Sequence, residues 1–243
     1  MWLVSNKVTV MDSGLLEGFR DCHCHLLPGV DDGVQEVEET IGILNKWEAI
    51  GVKEVWLTPH IMEDMPNEPE DLRTRFKELE LRLSEEGIHI KIHLAAEHMM
   101  DGLFLKRMGS DMLMPLCASE DESYGGGRLL VETSYYIPPM NMENIIESIK
   151  KKGYEPILAH PERYQYMGQR DYKQWKQRGV LLQLNLPSLV GAYGPEAKSK
   201  AEWMLKEDMY DYCGSDTHSI NQVDLFLESE ISKKVVKMVK RLI

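Results

Sequence analysis

The chain of 243 residues has 43% hydrophobic and 28% charged residues, enough apolar material for one sizeable core, with no tract of fibrous or low-complexity composition. A formal net charge of −12 argues against a surface that tracks a nucleic-acid backbone, and no apolar run reaches the length of a membrane span. The opening residues lack a basic region followed by an apolar signal core, and Cys22, Cys24, Cys117 and Cys213 supply no disulfide framework, so a cytoplasmic protein is expected.

Residues 1–18 read as an N-terminal extension. From Phe19 onward, short apolar runs alternate with stretches of helical period, the pattern of strand-helix units on a parallel sheet. The first strand ends near His25. A helix follows over residues 34–50, with Val37, Ile41, Leu44 and Trp47 on one stripe and Gly51 at its stop, and residues 53–57 form the second strand. After a loop rich in proline and acid, the next helix spans residues 69–86 on a stripe of Leu72, Phe76, Leu79 and Leu83, with Gly87 ending it. Ile88, Ile90, Ile92 and Leu94 alternate with His89, Lys91 and His93, giving a third strand that delivers Glu97 at its end.

Residues 108–127 show no readable period, and Ser123-Tyr124-Gly125-Gly126-Gly127 reads as a mobile loop. Strands are expected at 128–131, 156–159, 180–184 and 210–214, separated by helices near 141–152, 171–178 and 195–207; a last helix covers 228–242. Neither a fixed repeat nor a linker divides the chain, so residues 1–243 are expected to form a single domain, an α/β barrel of about seven strands.

Residues with metal-binding chemistry recur where those strands end: Asp21-Cys22-His23-Cys24-His25, Thr58-Pro59-His60, Ala96-Glu97, Val131-Glu132, His160-Pro161-Glu162-Arg163 and Gly214-Ser215-Asp216-Thr217-His218, with the Asp31-Asp32-Gly33 turn beside them. In a parallel barrel the side chains just past the strand ends converge on one mouth. His23 and His25, one residue apart in an extended segment, project from the same face, which turns Cys22 and Cys24 away as buried fillers.

A single histidine is more often a core or surface residue than a ligand, but His23, His25, His60, His160 and His218 share this placement, whereas His89 and His93 do not. His98, beside Glu97, is a candidate for a supporting hydrogen bond. Glu97, Glu132 and Asp216 add hard oxygen, which with imidazole suits Mn, Mg, Zn or Fe; eight such ligands are enough for two or three divalent ions. For Arg163, a bidentate grip on phosphate and an ordinary surface salt bridge stand equal on the residues alone.

The segments DCHCHLLPGVDDG, TPH, AAEH, LLVET, LAHPERY and GSDTH resemble the PHP (polymerase and histidinol phosphatase) superfamily over residues 19–218, and most of all its manganese-dependent protein tyrosine phosphatases of bacterial capsule and exopolysaccharide loci. That resemblance implies a distorted (β/α)7 TIM-like barrel with a three-metal site at its C-terminal face, and Mn2+ as the ion. It implies His23, His25, His60, Glu97, Glu132, His160, Asp216 and His218 as ligands and Arg163 as the catalytic side chain that stabilises the phosphoryl group during in-line attack by metal-bound hydroxide. The implied substrate is the phosphotyrosine tail of a cognate tyrosine autokinase, with no nucleic-acid partner and room for a homo-oligomer. The rival readings are a small-molecule phosphatase acting on a compound such as histidinol phosphate, and a non-catalytic metal-binding partner of a kinase.

Overall fold

The computed structural model describes residues 6–110, 112–116 and 127–243, so Cys117 and residues 123–126 of the expected glycine loop lie outside the described residues. In chain order the elements are β1 (Lys7–Thr9), β2 (Arg20–Cys24), α1 (Val37–Ala49), β3 (Glu54–Leu57), β4 (His60–Ile61), α2 (Pro69–Glu85), β5 (Lys91–Leu94), β6 (Glu97–Met99) and α3 (Gly102–Met108). After the undescribed segment come β7 (Arg128–Glu132), α4 (Met142–Lys151), β8 (Glu155–Leu158), α5 (Gln169–Gln177), β9 (Leu181–Asn185), α6 (Gly194–Lys206), β10 (Tyr212–Gly214), α7 (Ile220–Glu228), β11 (Glu230–Ser232) and α8 (Lys233–Val239).

This is a mixed α/β fold around a curled parallel sheet. Six strands pair in the order β10-β9-β8-β7-β6-β4 and three in the order β2-β3-β5, every pair parallel. Thr58 and Pro59 alone separate β3 from β4, and Ala95 and Ala96 alone separate β5 from β6, so the two sheets are joined by strands that bend and change partners. A parallel bridge between Cys24 and Thr217 brings the end of β2 against the segment after β10.

The strand period of two then sorts side chains by face. Ala95, Leu116, Leu130, Ile157 and Ala159 form a small buried cluster, with Trp56, Leu181 and Tyr212 packed on it. Two residues further along the same faces come Glu132 after Leu130, Gln183 after Leu181 and Gly214 after Tyr212. An apolar plug thus lies beneath, and polar groups follow toward the C-terminal ends of the strands. The opposite faces, Leu129, Val131, Leu158, Leu182 and Leu184 among them, join the larger core under the helices.

Helices cover that outer face because their stripes are apolar: α1 buries Thr40, Ile43, Leu44 and Trp47, and α4 buries Met142, Ile145, Ile146 and Ile149. The first helix begins at Val37, not at residue 34, because Val34 N–H donates to His25 O (3.1 Å) and Val34 O accepts from Gly29 N–H (2.9 Å), holding the segment as a loop. The third strand begins at Lys91, not at 88: Ile88 N–H donates to Leu83 O and so completes the exit from α2.

The expected last helix over 228–242 is corrected most. Glu228 closes α7, residues 230–232 pair antiparallel with residues 7–9 as β11 and β1, and α8 starts only at Lys233 with the Ser232 hydroxyl accepting from Val235 N–H. Pairing with a distant strand overrides a helical period here. Among the described residues no helix is long and apolar enough to cross a membrane.

Candidate metal centre

Eight side chains from six points in the sequence meet at the C-terminal ends of the parallel strands. His23 lies in β2 and His25 just past it, His60 opens β4, Glu97 opens β6, and Glu132 closes β7; His160, Asp216 and His218 follow β8 and β10. His23, His25 and Glu97 are fully buried, and His160, Glu132 and Asp216 nearly so. Their potential ligand atoms group as His23, His25 and Asp216; as His23, Glu97 and His160; as His60, Glu97 and Glu132; and as His25, Asp32, His60 and His218, each group within 4.8 Å. The groups share members, as neighbouring ions with bridging ligands require.

The distances suit cations. His23 Nε2 lies 3.1 Å from Glu97 Oε2 and 3.1 Å from His25 Nε2, while His60 Nδ1 lies 3.2 Å from Glu97 Oε2 and 3.1 Å from Glu132 Oε1. Ligand atoms around one divalent ion with bonds of about 2.1 Å sit roughly 3.0–3.4 Å apart. Yet His60 Nδ1, Glu97 Oε2, Glu132 Oε1 and His160 Nδ1 are buried without a hydrogen-bond partner. Buried polar atoms are normally paired, so close atoms that leave one another unpaired fit a set built to hold metal.

The neighbours fix each ring. His23 Nδ1 lies 3.0 Å from Gln183 Oε1, His25 Nδ1 2.8 Å from Asp31 Oδ2, and His218 Nδ1 2.9 Å from the Asp216 carbonyl, which leaves all three Nε2 atoms for the centre. Asp31 also accepts from His60 N–H (3.0 Å) and Gly33 N–H (2.9 Å), and Asn185 Nδ2 donates to Asp216 Oδ2 (2.8 Å). His160 and Asp216 adopt positive φ, 33° and 51°, a conformation that costs non-glycine residues of order 1 kcal/mol or more and that their surroundings must enforce.

Charge balance follows from this packing. Burial alone would lower the pKa of His23, but the Glu97 and Asp216 carboxylates outweigh it and raise it to about 9. His25 is likewise held up against burial by Asp216, Asp31 and Glu97. Burial acts to raise Glu97 and Asp216, and the imidazoles beside them reverse it, holding both carboxyls below their ordinary range. Without metal, this packing favours a proton on His23 and His25 beside the carboxylates.

Arg163 belongs to the same cluster. A 3-10 turn over Pro161–Arg163 follows His160, and buried Glu162 anchors it by accepting from Asn185 N–H (2.9 Å) and the Tyr210 hydroxyl (3.0 Å). The Arg163 guanidinium pairs with Asp216 Oδ2 and lies between the rings of Tyr135 (4.5 Å) and Tyr193 (4.0 Å). Of its two sequence readings, the surface salt bridge is corrected: this ion pair is inside the site, with the side chain only 16% exposed.

His98 turns elsewhere. Its Nδ1 lies 3.1 Å from Ala96 O, its Nε2 accepts from Met114 N–H, and its ring meets Phe104, so burial lowers its pKa to about 4. Cys22 and Cys24 are buried with their thiols toward the Cys213 and Trp56 carbonyls. Asp32, in the turn that the motifs include without a ligand role, has its Oδ1 3.5 Å from His60 Nε2 and 3.6 Å from His218 Nε2; the residues that the motifs do not single out are the supporting Gln183 and Asn185. Those two polar residues alternate within an apolar strand, and that is the sequence signal for them.

A parallel α/β scaffold carrying a His, Asp and Glu cluster fit for several divalent ions is the class that fold and site define. Within it the chain belongs to the family described as capsular polysaccharide synthesis, CpsB/CapC, whose model matches residues 19–239. Its relatives include the tyrosine-protein phosphatase YwqE of Bacillus subtilis, 26% identical over 82% of this chain and 77% of that protein. Others are the putative tyrosine-protein phosphatase CapC of Staphylococcus aureus (24%, covering 89% and 84%) and the tyrosine-protein phosphatase CpsB of Streptococcus agalactiae (24%, covering 85% and 86%). A solved structure reported under "Crystal structures of YwqE from Bacillus subtilis and CpsB from Streptococcus pneumoniae, unique metal-dependent tyrosine phosphatases" superposes with a TM-score of 0.76 over 92% of this chain and 86% of that one, at 22% identity. The fold is therefore shared, and the resemblance carried by the motifs is borne out at the level of the family.

Proposed function

We propose that the chain is a metal-dependent protein tyrosine phosphatase that hydrolyses phosphotyrosine on the tail of a bacterial tyrosine autokinase in capsule or exopolysaccharide synthesis. The observation that carries this reading is the convergence of His23, His25, His60, Glu97, Glu132, His160, Asp216 and His218 on overlapping groups of potential ligand atoms, four of them buried without a hydrogen-bond partner, with Arg163 beside them. Membership of a family described by capsular polysaccharide synthesis, with relatives named as tyrosine phosphatases, supports the substrate. We read the scaffold as a single-domain (β/α)7 barrel, with β3–β4 and β5–β6 each counted as one interrupted strand, acting in the cytoplasm and free to form a homo-oligomer.

The eight side chains would hold two or three divalent ions, Mn2+ first among them, which supply Lewis acidity toward phosphoryl oxygens and lower the pKa of water. The chain's own groups do the rest. Arg163 presents a planar fork suited to two oxygens of one phosphoryl group, and Tyr135 and Tyr193 hold that fork in place while covering it from bulk water. Asp31, Gln183 and Asn185 orient the ligands, so little reorganisation is needed when substrate arrives. Asp32, exposed at the mouth, adds negative charge where the site opens to solvent.

The test is Arg163→Ala. Phosphotyrosine-peptide turnover is expected to fall about 10²–10³-fold, with metal content unchanged; Arg163→Lys is expected to restore little of it. Turnover equal to that of the parent would remove Arg163 from the reaction. Preference for histidinol phosphate over phosphotyrosine peptide on the same sample would overturn the substrate.

A further inference from the structure

The loop between β7 and α4 leaves the metal centre and displays apolar side chains. It runs from Glu132 through Tyr135, whose ring lies on Arg163 and 5.8 Å from that of His160, to Tyr136, Ile137, Pro138, Pro139 and Met140. Tyr136 is 67% exposed, Ile137 71% and Met140 90%. Large apolar side chains exposed singly are ordinary, and elsewhere among the described residues they are scattered: Met11, Leu81, Leu105, Met112, Leu225 and Ile243. Here three fall within five consecutive positions.

The display is held in place. Tyr135 O accepts from Gln165 N–H (2.8 Å), Met142 N–H donates to Pro139 O (3.2 Å), and the two prolines restrict the backbone between them. Beneath lies a cavity of about 430 Å³ lined by Pro138, Tyr166, Met167 and Trp175 together with the acidic Glu143 and Asp171, among others. Tyr166 stacks on Tyr164 (5.7 Å), and the Tyr164 ring meets His160 edge-on (5.7 Å), so one aromatic layer joins cavity and centre.

We infer that this rim and cavity dock the residues that flank the phosphotyrosine of a protein substrate, favouring apolar side chains within a few positions of it. The inference rests on the phosphatase reading and extends it. From Glu132 to Met140 is eight residues, a reach of at most about 28 Å. A peptide that leaves the centre on this side therefore meets the rim within about eight extended residues of its phosphotyrosine. Apolar contact there favours a peptide over free small phosphates without touching the reacting atoms, since Ile137 and Met140 are not among the side chains that meet at the centre.

The test compares the parent with the double variant Ile137→Ser, Met140→Ser. Three measurements are made with Mn2+: hydrolysis of p-nitrophenyl phosphate, hydrolysis of a phosphotyrosine peptide with apolar flanks, and binding of the same peptide carrying a non-hydrolysable phosphonate. The variant is expected to raise peptide KM and Kd about tenfold and leave p-nitrophenyl phosphate kcat/KM unchanged. Replacing the peptide's flanks with serine is expected to abolish the difference between the two proteins. Equal peptide Kd for parent and variant, or an equal loss on both substrates, overturns the docking role. If the parent hydrolyses neither substrate, the phosphatase reading fails; the binding arm still decides the rim, because weaker phosphonate-peptide binding in the variant supports it and unchanged or absent binding overturns it.

Discussion

A Cβ added at Gly33 would stand 2.2 Å from the His25 carbonyl oxygen, and one at Gly214 would stand 2.5 Å from His23 Cβ. Both glycines let backbone pass close to a histidine proposed as a ligand. Gly33→Ala is therefore expected to displace His25, costing about 1–3 kcal/mol by overpacking and weakening metal binding; chemical denaturation and a metal titration read the two effects. Asp31→Asn acts through charge instead. It removes the carboxylate that holds His25 Nδ1 and His60 N–H, so metal affinity is expected to fall about 10–100-fold with the fold intact, as measured by competition with a chromogenic chelator. Unchanged affinity would remove Asp31 from the support of the centre. At this scale the strand-end histidines and carboxylates were legible because their residue types are rare together and their placement repeats. Gln183 and Asn185 were less so: a polar residue in a strand names no partner until the neighbouring strands are in place.

At the scale of elements, the long amphipathic helices were readable because several turns repeat one stripe. Helix α4 is the clearest case, with Ile146 fully buried against the larger core. Ile146→Ala is expected to lower unfolding free energy by about 2–5 kcal/mol, seen as a shifted urea midpoint with unchanged slope; a smaller loss would mean that the helix packs more loosely than its burial indicates. Short elements were hidden for the same reason. Strands β4 and β6 have two and three residues, too few to display a period, and they exist through pairing with each other and with β7. Helix α3 spans seven residues and is held by the Asp101 carboxylate accepting from Phe104 N–H. At residues 228–232 local pattern and tertiary pairing conflict, and the antiparallel contact of Val8 with Ile231 decides the outcome.

For the whole molecule, the packed imidazoles and carboxylates are expected to couple stability to pH, and to metal where it binds. The pKa of His23, raised from 6.5 to about 9 in the folded metal-free state, gives stabilisation that is complete below its unfolded value and lost as pH climbs through about 9. The lowered carboxyls of Glu97 and Asp216 act in the opposite sense, stabilising above the ordinary carboxylate range and losing that effect on acidification. Chelator-treated protein is thus expected to melt at lower temperature at pH 9 than at pH 6.5, and added Mn2+ to stabilise more at the alkaline end, where fewer protons must leave. A thermal scan across pH with and without the ion reads both; a flat profile in the chelated protein would contradict the charge balance described above.

The parallel strands bring distant imidazoles and carboxylates to one place, and the proposal that they hold divalent ions there is tested most directly by anomalous diffraction at the manganese edge from crystals grown with Mn2+. Two or three peaks are expected, each about 2 Å from atoms of His23, His25, His60, Glu97, Glu132, His160, Asp216 or His218. No peak among these side chains, or manganese bound elsewhere on the surface, would contradict it.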